Sequence, residues 1–137
     1  MSEETRELTS AERELIRWLL EHGKPGAVNY LDQLAVARVT SWKCGCGCAS
    51  FNLSIAGRPT PPPGVHVLAD FVSEERDNGY SGIFVFESGG ILAGVEVEGV
   101  PQAPKVLPCP EQLKPRKYQA EQGGPGYPPQ GVGPPDP

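Results

Sequence analysis

The sequence lacks a long apolar run and a basic leader segment. No stretch approaches the roughly 20 predominantly apolar residues that a bilayer-spanning helix needs. The first residues also lack the positively charged start and apolar continuation of a secretory signal. We therefore expect no membrane span and no signal peptide, and we place the protein in the cytosol, where thiols stay reduced.

Positive charge is also scarce. The chain has 12 lysines and arginines against 17 aspartates and glutamates, which gives a net charge of −5. Proteins that bind nucleic acid hold the phosphate backbone with clustered basic side chains. We therefore expect neither a DNA nor an RNA partner.

Recognisable catalytic signatures are missing too. There is no phosphate-binding glycine loop and no Cys-x-x-Cys redox pair. His66 and Asp70 are four residues apart on one predicted strand, which separates them by about 13 Å and does not form a triad with a cysteine. We therefore expect a protein that is not an enzyme.

The chemically unusual feature is the run CGCGC at residues 44–48. On a flat strand, residues two apart are separated by about 6.6 Å, which is too far for three thiolates to bind one ion. A glycine-rich turn removes that obstacle. A zinc site built from Cys44, Cys46 and Cys48 would need a fourth ligand, for which Cys109 is the first choice and His66 the alternative.

A structural role for these cysteines competes with the metal site. Free cysteine behaves as a small apolar side chain and is often buried. On this interpretation, which we favour at this point, the cysteines fill a tight turn beneath the helices. The run is then a hairpin turn between two strands or a kinked strand.

The N-terminal third of the chain has helical patterning. Over residues 8–22 apolar side chains recur at helical spacing, and Thr9 with Glu12 has the pattern of a capping box. Gly23 is expected in the left-handed conformation that ends many helices. A second, shorter helix is predicted over residues 26–36.

The following segments alternate with a period of two, which is typical of strands. Five strands are predicted, over residues 39–42, 50–56, 65–71, 83–86 and 91–98. Residues 83–86 are apolar on both faces and are expected at the centre of the sheet. Two helices on one face of an antiparallel sheet of about five strands predict an α+β fold.

These patterns divide the chain into three parts. We expect a flexible N-terminus over residues 1–7, a single α+β domain over 8–113, and a disordered tail over 114–137. More than half of the residues from Pro115 onward are proline or glycine, a composition that cannot bury a core.

Four short segments, taken together in this order, form a recognisable pattern: LIRWLL at residues 15–20, QL at 33–34, ARV at 37–39, and CGCGC followed by Ser50. In this pattern the chain resembles a family of small uncharacterised bacterial proteins with a CGCGC run after two N-terminal helices. The resemblance spans roughly residues 8–113. It implies a bacterial cytosolic protein and implies no particular activity.

Two functions follow from the sequence. The first is a non-enzymatic protein-interaction or regulatory module, monomeric or weakly dimeric, that binds a protein partner, for example to neutralise it. The alternative is a structural or sensing zinc-binding domain that uses the cysteines as ligands.

Overall fold

The computed structural model describes residues 4–74, 79–100 and 102–115. Its helices are α1 (Ser10–Glu21) and α2 (Leu31–Ala35), with short 3-10 turns at Ala27–Tyr30 and Pro110–Gln112. Its strands are β1 (Thr5–Glu7), β2 (Ala37–Thr40), β3 (Phe51–Ile55), β4 (His66–Glu74), β5 (Tyr80–Ser88), β6 (Ile91–Val100) and β7 (Lys114–Pro115).

The seven described strands form one antiparallel sheet in the order β1-β2-β3-β6-β5-β4-β7. The predicted α+β class is therefore wrong: the fold is mostly β, with two short helices against a seven-stranded sheet. The five predicted strands are present, but two edge strands were missed. Neither α1 nor α2, the helices in the described part of the chain, has the length and apolar character needed to cross a membrane.

Helix α1 begins as its sequence predicts. The Thr9 hydroxyl accepts a hydrogen bond from the Glu12 N–H at 3.1 Å, and the Glu12 carboxylate accepts one from the Thr9 N–H at 2.8 Å. Its apolar face is buried in the core, through Leu15, Ile16, Leu19 and Leu20. Burying each such side chain stabilises the fold by about 1.5–3 kcal/mol.

Gly23 has a different role from the one predicted. Its backbone is not in the left-handed region, which the described glycines at 26, 47, 57, 64, 89 and 90 adopt. Gly23 instead lies against β4, where an added Cβ would clash with the Leu68 carbonyl oxygen and lie 2.9 Å from the Ala69 Cβ. The glycine thus allows the end of α1 to pack closely on the sheet.

The predicted second helix over 26–36 is broken into two pieces. Gly26 has a φ of 92°, and a 3-10 turn over Ala27–Tyr30 precedes the five-residue α2. Gln33 then joins α2 to the β5–β6 turn, accepting a hydrogen bond from the Leu92 N–H at 2.7 Å and donating one to the Gly90 carbonyl at 2.9 Å.

The centre of the sheet is β6, not the 83–86 segment of β5. Residues 83–86 lie one strand away, between β6 and β4, with Ile83 and Val85 fully buried. Asp70, predicted on a solvated face, is buried although it pairs with Phe84 and so shares the sheet face of that ring.

The predicted domain boundaries omitted both edge strands. Thr5–Glu7, expected in a flexible N-terminus, pairs with β2, and Lys114–Pro115 pairs with β4. The rest of the predicted tail, residues 116–137, lies outside the described residues.

Candidate metal centre

The CGCGC run lies in the hairpin loop that joins β2 to β3. The Gly47 N–H donates to the Cys44 carbonyl at 3.1 Å, which closes a four-residue turn over 44–47. Gly47 has a φ of 83°, a conformation that costs glycine little and other residues more. The Ala49 N–H donates to the Pro104 carbonyl at 3.0 Å, which attaches the loop to the segment before β7.

This turn brings three thiols together. The Cys44 and Cys46 sulfurs lie 3.0 Å apart, and all three sulfurs, including that of Cys48, lie within 4.8 Å of one another. These values bracket the separation of about 3.8 Å that tetrahedral zinc requires with Zn–S bonds of about 2.3 Å. The three cysteines are therefore close enough to hold a metal ion.

The structural role that the sequence favoured for these cysteines fits their environment only in part. Cys46 is exposed, and Cys44 and Cys48 are only half-buried. All three are free thiols. Cys48 packs in part against the hydrophobic core, while all three cysteines lie in a surface loop with their sulfurs grouped.

The thiols of Cys46 and Cys48 differ in acidity. Burial alone would raise the pKa of Cys48, but hydrogen bonds with the Ser50 hydroxyl and N–H, then with Cys46 and Cys44, outweigh it and lower that pKa to about 7. Hydrogen bonds with the thiols of Cys44 and Cys48 raise the pKa of Cys46 to about 11. Of these two thiols, Cys48 therefore ionises more readily and offers the thiolate that binds a cation.

Two hydrogen bonds support the cluster, one from a backbone N–H and one between side chains. The Cys48 N–H donates to the Cys46 sulfur at 3.4 Å, and the Cys48 thiol donates to the Ser50 hydroxyl oxygen at 3.3 Å. Donors around a thiolate orient the ligand and tune its basicity. Ser50 carries no signal of this role in the sequence, because the contact depends on how the loop folds back.

The proposed fourth ligands do not join the cluster among the described residues. Cys109 precedes the 3-10 turn Pro110–Gln112 and lines a groove beside α1 with Trp18. His66 lies 3.3 Å from the Glu87 carboxylate. The structure thus assembles three of the four predicted ligands and leaves Cys109 and His66 elsewhere.

A cleft of about 380 Å³ opens beside Cys44 and Cys48. Charged side chains from three distant segments line it: Arg6 and Glu12, Lys43, and Lys105. Arg6 donates to both oxygens of the Glu12 carboxylate, at 3.0 and 2.9 Å. Neither Arg6 nor Lys105 was predicted at the site, because β1 and the segment before β7 reach it only through sheet pairing and loop packing.

Comparison with protein-family models, with curated proteins and with solved structures gives no match. The resemblance to a family of small bacterial proteins therefore stays a prediction. The function must be argued from the site itself.

Proposed function

We propose that this protein is a zinc-binding module in which Cys44, Cys46 and Cys48 provide three thiolate ligands. The observation that carries this proposal is the grouping of the three sulfurs within 4.8 Å in one loop. Three protein ligands are typical of zinc sites that keep one coordination position open.

The chemistry of the donors supports zinc. Thiolates bind zinc in preference to magnesium or calcium, which favour oxygen ligands. The Cys48 N–H donates a hydrogen bond to the Cys46 sulfur, and the Ser50 hydroxyl lies 3.3 Å from the Cys48 sulfur, where it can donate to the thiolate once the thiol proton is lost. Binding would release the thiol protons and stabilise the fold, because the unfolded chain has no preformed site.

The direct test is metal content and stability of the full chain purified without chelator. We expect one equivalent of zinc by elemental analysis. At a free zinc concentration a hundredfold above Kd, zinc should stabilise the folded state by about 2.7 kcal/mol. Substoichiometric metal, together with a melting temperature that a chelator leaves unchanged, rejects the proposal.

Two glycine variants give a matched control. Gly47→Ala forces an alanine into a φ of 83° and should disrupt the turn that groups the sulfurs. Gly45 has an ordinary φ and no atoms within 4 Å of an added Cβ, so Gly45→Ala should bind zinc normally. Equal zinc affinity in the two variants contradicts the proposed geometry.

Cysteine variants identify the ligands. Cys46→Ser should lose zinc, since Cys46 contacts both neighbouring cysteines. Cys109→Ser and His66→Ala should retain it, because neither side chain belongs to the cluster. Zinc loss in either of these two variants would restore the four-ligand set that the sequence predicted.

The interaction module remains the second candidate, and one observation favours it. Phe84 and Phe86 alternate with the buried Ile83 and Val85, so they lie on the sheet face away from the core. Trp42, beside Phe86 at a groove on this face, is 46% exposed. Exposed aromatic side chains are enriched where proteins bind each other.

Affinity capture from the native organism tests the interaction candidate. The full chain should retain one stoichiometric protein, and Trp42→Glu should lose it. Val106→Glu is the control, because Val106 is 77% exposed and does not line this groove. Failure to capture a stoichiometric partner, or equal capture by both variants, counts against this candidate.

A further inference from the structure

We propose that a small anionic thiol, a thiolate that also carries carboxylates, binds in the cleft beside Cys44 and Cys48 as the fourth ligand of the metal. This inference rests on the proposed zinc site. It names what fills the coordination position that the protein leaves open.

No further cysteine or histidine of the chain joins the three thiols in the described part of the structure. All four cysteines and both histidines of the sequence lie within the described residues. Cys109 and His66 lie outside the cluster, and the His22 ring nitrogen is hydrogen bonded to the Trp18 carbonyl at 2.8 Å. Residues 1–3, 75–78, 101 and 116–137 contain neither cysteine nor histidine.

The carboxylate in the cleft is already engaged. One Glu12 oxygen accepts hydrogen bonds from Arg6 and from the Thr9 N–H, and the other accepts from Arg6 at 2.9 Å. Moving this carboxylate to a metal would break the capping box of α1. A ligand from outside the chain would bind the metal and leave the capping box of α1 intact.

The cleft also offers positive charge to such a donor. Lys43 and Lys105 line it and form no ion pair or hydrogen bond within the part of the chain that the structure describes. This is notable in a chain with a net charge of −5. Two lysines beside the thiolates can pair with the carboxylates of a ligand whose sulfur binds the metal.

The binding step is a ligand exchange without redox change. The incoming thiol loses its proton to solvent, its sulfur forms a bond to the metal, and a bound water leaves. The cleft volume of about 380 Å³ suits a ligand of tripeptide size. Reduced glutathione is the probe with this chemistry, since it carries one thiol and two carboxylates.

The experiment uses the full chain loaded with one equivalent of Co²⁺, whose absorption spectrum reports the number of thiolate ligands. Titration with reduced glutathione should give a saturable change toward a four-thiolate spectrum. Its half-saturation concentration should lie about tenfold or more below those of glutathione diethyl ester and 2-mercaptoethanol, which lack the carboxylates. S-methylglutathione, which lacks the thiol, should leave the spectrum unchanged.

Charge variants locate the binding site. Lys43→Gln with Lys105→Gln should weaken glutathione binding about tenfold and leave Co²⁺ loading within twofold. Lys24→Gln removes a positive charge outside the cleft and should change neither. Salt should weaken the wild-type glutathione interaction and affect the double variant less.

Three results overturn the inference. Glutathione does not alter the Co²⁺ spectrum, or the diester binds as tightly as glutathione, or the Co²⁺-loaded double lysine variant keeps the wild-type glutathione affinity. Each of these leaves the zinc proposal standing. If Co²⁺ and Zn²⁺ do not load at all, both proposals fail.

Discussion

The hydroxyl oxygen of Ser50 and the sulfur of Cys48 lie 3.3 Å apart. The same oxygen accepts a hydrogen bond from the Val97 N–H at 3.0 Å. Because Val97 occupies one acceptor position, the hydroxyl hydrogen can turn toward Cys48 once that thiol ionises. Ser50 therefore connects the loop thiolate to the central strand of the sheet.

Ser50→Ala should make Cys48 a weaker acid. Without the hydroxyl, the pKa of Cys48 should rise from about 7 toward the ordinary thiol range. A rise of one unit lowers the thiolate fraction at pH 7 about fivefold. Alkylation of metal-free protein by iodoacetamide, followed at Cys48 by peptide mass spectrometry, measures this change.

The control for this experiment is Ser54→Ala, which removes a hydroxyl from β3 away from the loop. It should alkylate at the wild-type rate. If Ser50→Ala also alkylates at that rate, the serine does not stabilise the thiolate. The lowered pKa of Cys48 would then have another cause.

Glu12 should make the fold sensitive to acid. Burial alone would raise its pKa, but hydrogen bonds from Arg6 and from the Thr9 N–H outweigh burial and lower it below the ordinary value. A carboxyl with a lowered folded-state pKa stabilises the fold fully above its unfolded pKa, and this stabilisation is lost as pH falls through the folded pKa.

The measurement is urea unfolding of wild type and Glu12→Gln between pH 7 and pH 3. Glutamine can still accept from the Thr9 N–H, but it loses the charged pair with Arg6, which should cost about 0.5–1 kcal/mol at pH 7. The difference between the two proteins should shrink as the pH falls below about 4.3. Glu14→Gln, an exposed substitution two residues further along α1, serves as the control. A difference that stays constant over this range argues against the charged capping box.

The sequence predicted those elements whose signals are local. The capping box of α1 depends on residues three apart, and the five longer strands depend on alternation, so both are readable from a short window. The edge strands β1 and β7 have three and two residues, which is too short for a period to show. They form because neighbouring strands offer them free backbone groups.

The candidate site also has one part that could be predicted from local sequence and one part that could not. The cysteine cluster was predictable, because alternating glycines permit a turn that brings residues two apart together. The cleft beside Cys44 and Cys48 was not predictable, because two of its basic residues, Arg6 and Lys105, are 99 positions apart and meet only in the folded chain. The wrong role assigned to Gly23 has the same origin: its partner, Leu68, is on β4.

Gly23→Ala should destabilise the fold. An added methyl group would clash with the Leu68 carbonyl oxygen and lie 2.9 Å from the Ala69 Cβ, so α1 would have to move off β4. Overpacking of this kind costs about 1–3 kcal/mol. Chemical unfolding should show this loss, whereas Gly45→Ala, with open space around the new Cβ, should stay within about 0.5 kcal/mol of wild type.

Gln33 should stabilise the junction between α2 and the β5–β6 turn. Its side-chain oxygen accepts from the Leu92 N–H at 2.7 Å, and its nitrogen donates to the Gly90 carbonyl at 2.9 Å, across 59 and 57 positions of sequence. Gln33→Ala removes both bonds and leaves the part-buried Leu92 N–H without this acceptor. The expected cost is about 1–3 kcal/mol in unfolding free energy, with faster hydrogen exchange at the Leu92 amide.

Asn29→Ala truncates an exposed amide in the preceding turn and should change neither quantity. If Leu92 exchanges at the wild-type rate in Gln33→Ala, the side chain does not hold this junction, and α2 is positioned by the apolar contacts of Leu34 alone.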